Sequence, residues 1–160
     1  MPRVPLSDID GNVYERLMGH RPEILQKWFE LDSTIRFSPT LDPGLKEELR
    51  RAMAPGIGCV FCSTLGAAAG AHPDPKEALA VAFAERVVED WRSIDDDVFA
   101  VLAQEFTTEQ IVELVAWVSF IFGAQLFGAL LSTTPATPAE VEVYTEWRRA
   151  GEEAGAHTPG

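Results

Sequence analysis

Asp42-Pro43, Asp74-Pro75 and Thr137-Pro138 each place a helix-capping residue directly before a proline. The side-chain oxygen of Asp or Thr can accept an orphan N–H of a first helical turn, and a proline at the first position has its φ preset for a helix. Thr107 with Gln110 has the spacing of a capping box. Apolar residues recur behind these starts at helical spacing. Leu25, Trp28, Phe29 and Leu31 do so after Pro22, and Leu79, Ala82, Phe83, Val87 and Trp91 after Pro75. No run shows the alternation of a strand. A 160-residue chain punctuated in this way is expected to be all-α, a single-domain helical bundle of about seven helices.

The expected organisation is an N-terminal arm at residues 1–11, a helical domain at 12–150 and a flexible tail at 151–160. Helices are read at 13–18, 22–36, from Pro43 into Ala54, at 77–91, 94–106, 107–131 and 138–149. Pro55-Gly56-Ile57-Gly58 is expected to interrupt the third helix. A new, small-residue-rich helix is then expected near Cys59 and through Gly66-Ala67-Ala68-Ala69-Gly70.

Charge narrows the function classes. The net charge of −12 repels phosphate backbones and anionic membranes, so no nucleic-acid partner is expected. Residues 114–131 carry no charge and approach the length of a membrane span. Gln125, Gly123 and Gly128 interrupt that run, and no Lys or Arg flanks it, so it reads as a buried helix and not a span. Residues 111–131 are apolar almost all round, more than a domain this size can cover alone. A homo-oligomer with this helix or its neighbours at the interface is expected, Gly123 and Gly128 allowing close contact. The N-terminus shows no apolar signal-peptide segment, and the expected location is cytoplasmic.

The chain has two cysteines, Cys59 and Cys62, spaced C-x-x-C after the Pro-Gly break. On a helix these positions share one face within disulfide reach. In a reducing compartment such a pair is more often redox-active or metal-binding than a staple. A helix start stabilises a thiolate, and the thiolate is the nucleophile. Buried structural thiols remain an alternative. Zinc would need two more ligands, and His20, His72 and His157 lack zinc-finger spacing, so no metal or other cofactor is expected. Glu47, twelve residues before Cys59, could reach the pair as a proton acceptor if its helix folds back past the break. Equally, Glu47 and Glu48 could form a solvated face with Arg50 and Arg51.

Together these residues resemble the carboxymuconolactone decarboxylase-like superfamily, in its alkylhydroperoxidase D-like branch. The likeness rests on Leu45-Lys46-Glu47-Glu48-Leu49, Gly58-Cys59-Val60-Phe61-Cys62, residues 77–91 and 106–114, the apolar helix with Gly123 and Phe127, and the early Pro22-Glu23-Ile24-Leu25. It spans residues 4–135. The resemblance implies an all-helical fold, a homo-oligomer (trimer, hexamer or dimer) and reduction of a hydroperoxide by the cysteine pair. It makes Cys62 the attacking thiol, Cys59 its resolving partner and Glu47 the relay carboxylate. A dithiol, thioredoxin-like or on a dihydrolipoyl protein, would restore the pair. The chain departs from the family at Gly66, where the family's motif has a histidine four residues after the second cysteine. Restoring it by Gly66→His is expected to speed thiol oxidation. The truncated relay leaves two other readings open: a redox-sensing or structural member without turnover, and lactone or decarboxylase chemistry anchored by Arg50 or Arg51.

Overall fold

The computed structural model describes residues 1–155. Among the described residues there are eight α-helices, one 3-10 turn and no strand. The helices are α1 (Val13–Met18), α2 (Pro22–Arg36), α3 (Pro43–Ile57), α4 (Val60–Thr64), α5 (Pro75–Asp90), α6 (Asp96–Glu105), α7 (Thr108–Leu130) and α8 (Pro138–Gly155). The all-α expectation holds, with one more helix than the approximate count.

The starts are made by the local chemistry the sequence advertises. Asp42, Asp74 and Asp95 accept backbone N–H groups of α3, α5 and α6. Asn12 with Glu15 and Thr107 with Gln110 close capping boxes on α1 and α7. Thr137 and Glu140 exchange the same two bonds at the start of α8.

Several boundaries differ from expectation. The helix of α3 runs through Pro55 and ends only at Gly58, whose φ of 82° is the left-handed cap that glycine takes easily. Pro55 near a C-terminus removes one rung on the exposed side, which water can compensate. The cysteine helix stops at Thr64. Gly66 has φ 135°, so the small-residue stretch after it is loop and not helix. Its Ala69 N–H is tied to Glu48. On α5, Ala82 is exposed, and after it Trp91 is 57% exposed; Ala80, Val81, Phe83 and Ala84 make the inner face. On α2, Leu31 is exposed while Asp32 and Arg36 are buried. The helix of α8 continues to Gly155, so residues 151–155 of the expected tail are helical. Residues 156–160 lie outside the described residues.

Packing centres on α3, which lies against α2, α4, α5 and α7. Two hydrophobic clusters share it. The first joins Leu49 and Met53 to Phe83, Leu102, Leu114, Trp117 and Ile121. The second gathers Val13, Leu17, Met18, Ala54, Phe61, Leu65 and both cysteines. The apolar α7 is long enough to cross a membrane by length and composition, but here Leu114, Trp117, Val118, Ile121 and Gln125 face the interior. Its opposite face, with Val112 64% and Leu130 56% exposed, is uncovered in the single chain. Of the two glycines expected at an interface, Gly123 stands open, but Gly128 faces inward.

Candidate active site

Cys59 is the N-cap of α4, and Cys62 lies one turn on. Their sulfurs are bonded at 2.07 Å, with the Cα atoms 5.2 Å apart. The pair is a disulfide compatible with a C-x-x-C redox motif. Its two halves are not equivalent. Cys59 is fully buried, and a Cβ at Gly128 would come within 2.6 Å of its Sγ, so α7 closes directly over that sulfur. The Cys62 N–H donates to Cys59 Sγ at 3.2 Å. Cys62 instead lines a cavity of about 520 Å³ between α1, α2, α4, α7 and α8. Aromatic rings make much of its wall, among them Trp28, Phe29, Phe61, Phe120 and Trp147.

Glu47 sits beside this cavity and is 2% exposed, so the solvated face is not what forms. Its carboxylate accepts from Arg50 Nε and Nη2 at 2.9 and 2.8 Å, from Arg51 Nε at 2.9 Å, from Arg36 Nη1 at 3.3 Å and from the Tyr144 hydroxyl at 2.6 Å. Burial alone would push its pKa up. The hydrogen bonds and charge of Arg50, the Tyr144 hydroxyl and the Arg36 charge outweigh burial and hold the carboxyl at about 2. Burial pushes the Tyr144 phenol up, Arg36 and Arg50 oppose this, and the net direction is upward. Arg36 also makes a bidentate pair with Asp32 and lies 4.8 Å from the Trp117 ring centroid and 5.2 Å from that of Trp147.

This cluster reaches the disulfide through one bond: Arg50 Nη1 donates to the Cys62 carbonyl oxygen at 2.8 Å. Glu47 therefore lies one residue removed from the pair. Its hydrogen bonds go to arginines and Tyr144, and none goes to sulfur. As an anion alone it would oppose a thiolate. Surrounded by Arg36, Arg50 and Arg51 and balanced by Asp32, it belongs to a group with one net positive charge, which favours a thiolate at Cys62.

Gly66 is not simply a lost histidine. Its φ of 135° disfavours any side chain, and a Cβ there would stand 3.0 Å from Arg51 Nε. The expectation that Gly66→His restores a relay is thus at odds with the geometry. His72 contacts Glu77 at 3.1 Å and Glu48 at 3.6 Å, and is not among the residues lining the cavity. Ser63 and Thr64 donate to carbonyls of their own turn. Among the described residues no three metal-ligating side chains gather as a metal site.

Sequence reading missed Arg36, Asp32, Tyr144 and the role of Gln125. Asp32 and Arg36 carried a signal: they sit four apart, continuing the apolar stripe of Leu25, Trp28 and Phe29 on α2. Tyr144 carried none, because only the return of α8 brings it to Glu47. Set against models of known protein families, curated proteins and solved structures, the chain matches none of them.

Proposed function

We propose that this chain is a thiol-dependent hydroperoxidase, a distant member of the alkylhydroperoxidase D-like branch that its motifs resemble. The observation that carries the reading is the asymmetry of the pair: Cys62 opens on a large cavity, while Cys59 is sealed behind it. In the reduced protein the Cys62 thiolate attacks the outer oxygen of a hydroperoxide. The O–O bond breaks, an S–O bond forms, and the alkoxide takes a proton to leave as an alcohol. The Cys59 thiolate then attacks Cys62 Sγ, forming the S–S bond and expelling hydroxide, which leaves as water. The pair loses two electrons and the peroxide gains them. An external dithiol, thioredoxin-like or dihydrolipoyl, attacks Cys62 Sγ from the cavity. Cys59 departs as a thiolate toward the Cys62 N–H, and the dithiol closes to its own disulfide.

In this scheme Glu47 is a positioning residue. It aligns Arg50 against Cys62 and is too weak a base, with a pKa of about 2, to draw a proton from a thiol. Water in the cavity carries the protons. The setting is a reducing cytoplasm, where a dithiol donor is present. The outer face of α7 supports a homo-oligomer, and gel filtration at the mass of one chain would remove that part.

Gly66 favours a second reading, a redox sensor without turnover. One experiment separates the two. The protein is reduced, excess cumene hydroperoxide is added, and thiols are counted in wild type, Cys62→Ser and Cys59→Ser. The enzyme loses two thiols rapidly and turns over with dithiothreitol; Cys62→Ser is inert, and Cys59→Ser stops at a sulfenic acid. A single slow oxidation without turnover supports the sensor. Of the two anchors that lactone chemistry would use, Arg50 lines the cavity and Arg51 does not, and both pair with Glu47.

A further inference from the structure

Gln125 is 1% exposed and lines the cavity. Its Nε2 donates to the Arg50 carbonyl at 2.7 Å, which fixes the amide's orientation, because a backbone carbonyl only accepts. Its buried Oε1 has no hydrogen-bond partner among the described residues. Buried polar atoms are almost always paired, and an orphan beside a cavity calls for a partner that occupies the cavity. That partner must bring a donor.

The remaining walls define the rest of the ligand. The aromatic lining suits an apolar body, and the volume lies in the range of sites that enclose drug-sized molecules. Among the described residues, the cations that line the cavity are Arg36 and Arg50, and both are already paired. Arg36 is committed to Asp32, Glu47 and Tyr144, and Arg50 to Glu47 and Cys62. Two further carboxylates, Glu15 and Glu140, line the cavity; each caps its own helix, and neither pairs with a cation among the described residues.

We propose that the cavity binds an uncharged molecule with a bulky alkyl or aryl body and one hydroxyl or hydroperoxyl group, whose O–H donates to Gln125 Oε1. Part of its wall is α8, with Val143, Tyr144 and Trp147, a region beyond residue 135 where the likeness to the family ends. The binding stands by itself. Naming the ligand as the hydroperoxide substrate, with its alcohol as product, rests on the peroxidase reading.

The test uses the full chain in its disulfide form, so that no turnover enters. Fluorescence of Trp28 and Trp147, both in the wall, reports occupancy. Three probes of one shape are titrated: 2-phenyl-2-propanol, its methyl ether, and 4-isopropylbenzoate. The alcohol is expected to bind about tenfold more tightly than the ether, the worth of one hydrogen bond, and the carboxylate most weakly. In Gln125→Met the ether still binds and the alcohol's advantage disappears. The wild-type ratio carries the test if that variant does not fold. An ether equal to the alcohol in wild type, a carboxylate that binds best, or no saturable change up to about 5 mM overturns the proposal. Failure here with rapid two-thiol loss leaves the peroxidase standing; binding here without thiol loss leaves only the site.

Discussion

The two hydrophobic clusters share α3, yet they are opposite in kind. Around Leu49, Met53, Phe83 and Trp117 the interior is filled, and its polar atoms are few and paired, as with the Trp117 indole N–H on the Lys46 carbonyl. One turn away, the same α3 turns Glu47 and Arg50 toward a second region that holds a disulfide, a cavity and an orphaned amide oxygen. Close packing serves stability, and a cavity beside a disulfide leaves room for a ligand. The difference teaches where to look for each: changes in the first region are expected to alter how much protein is folded, and changes in the second to alter what the folded protein does.

The strongest way to break this division is Glu47→Gln, because Glu47 faces the second region and yet holds three arginines in the fold. Removing the anion leaves Arg36, Arg50 and Arg51 facing one another, and a loss of about 4 kcal/mol in urea unfolding is expected. The pH dependence follows from its low pKa. A carboxyl ordinarily near 4.5 and held at about 2 in the fold contributes stability that is complete above 4.5 and is lost as pH falls toward 2. Acid titration of wild type should show that loss, of about 3 kcal/mol, and Glu47→Gln should lack it. Next in size, Leu49→Ala in the filled cluster is expected to cost about 3 kcal/mol while the folded fraction keeps its rate of thiol oxidation. A changed rate would erase the boundary between the regions. Gly66→His sharpens the contrast from the other side. Strain at φ 135° and contact with Arg51 should destabilise by about 2 kcal/mol, with no gain in thiol oxidation by stopped-flow. The smallest effect is expected for Tyr144→Phe, about 1.5 kcal/mol for the hydroxyl that donates to Glu47 and accepts from Arg36.

What the sequence disclosed follows the range of the interactions involved. Helix starts at Asp42, Asp74, Thr107 and Thr137 were legible because a cap acts within four residues. The cysteine pair was legible for the same reason. Helix ends were harder: Pro55 looked like the stop, but the stop is Gly58, because a proline in a last turn removes only one rung while a left-handed residue ends the ladder. The burial of Glu47 was out of reach, since it depends on α2 and α8 arriving from residues 36 and 144. Gln125 was visible as a polar residue in an apolar run, but its unpaired oxygen is a property of the assembled cavity.

The outermost wall of that cavity is α8, none of whose residues is fully buried. Tyr144 and the contacts of Trp147 and Gly151 with Phe37 hold it down. Elements with little buried surface open at lower free energy than the core they cover. Amide hydrogens of α8 should therefore exchange with solvent far sooner than those of α3 or α7. The speed at which a ligand enters or leaves beside Cys62 then becomes a property of one detachable helix, adjustable by surface substitutions that leave both the disulfide and the packed cluster untouched.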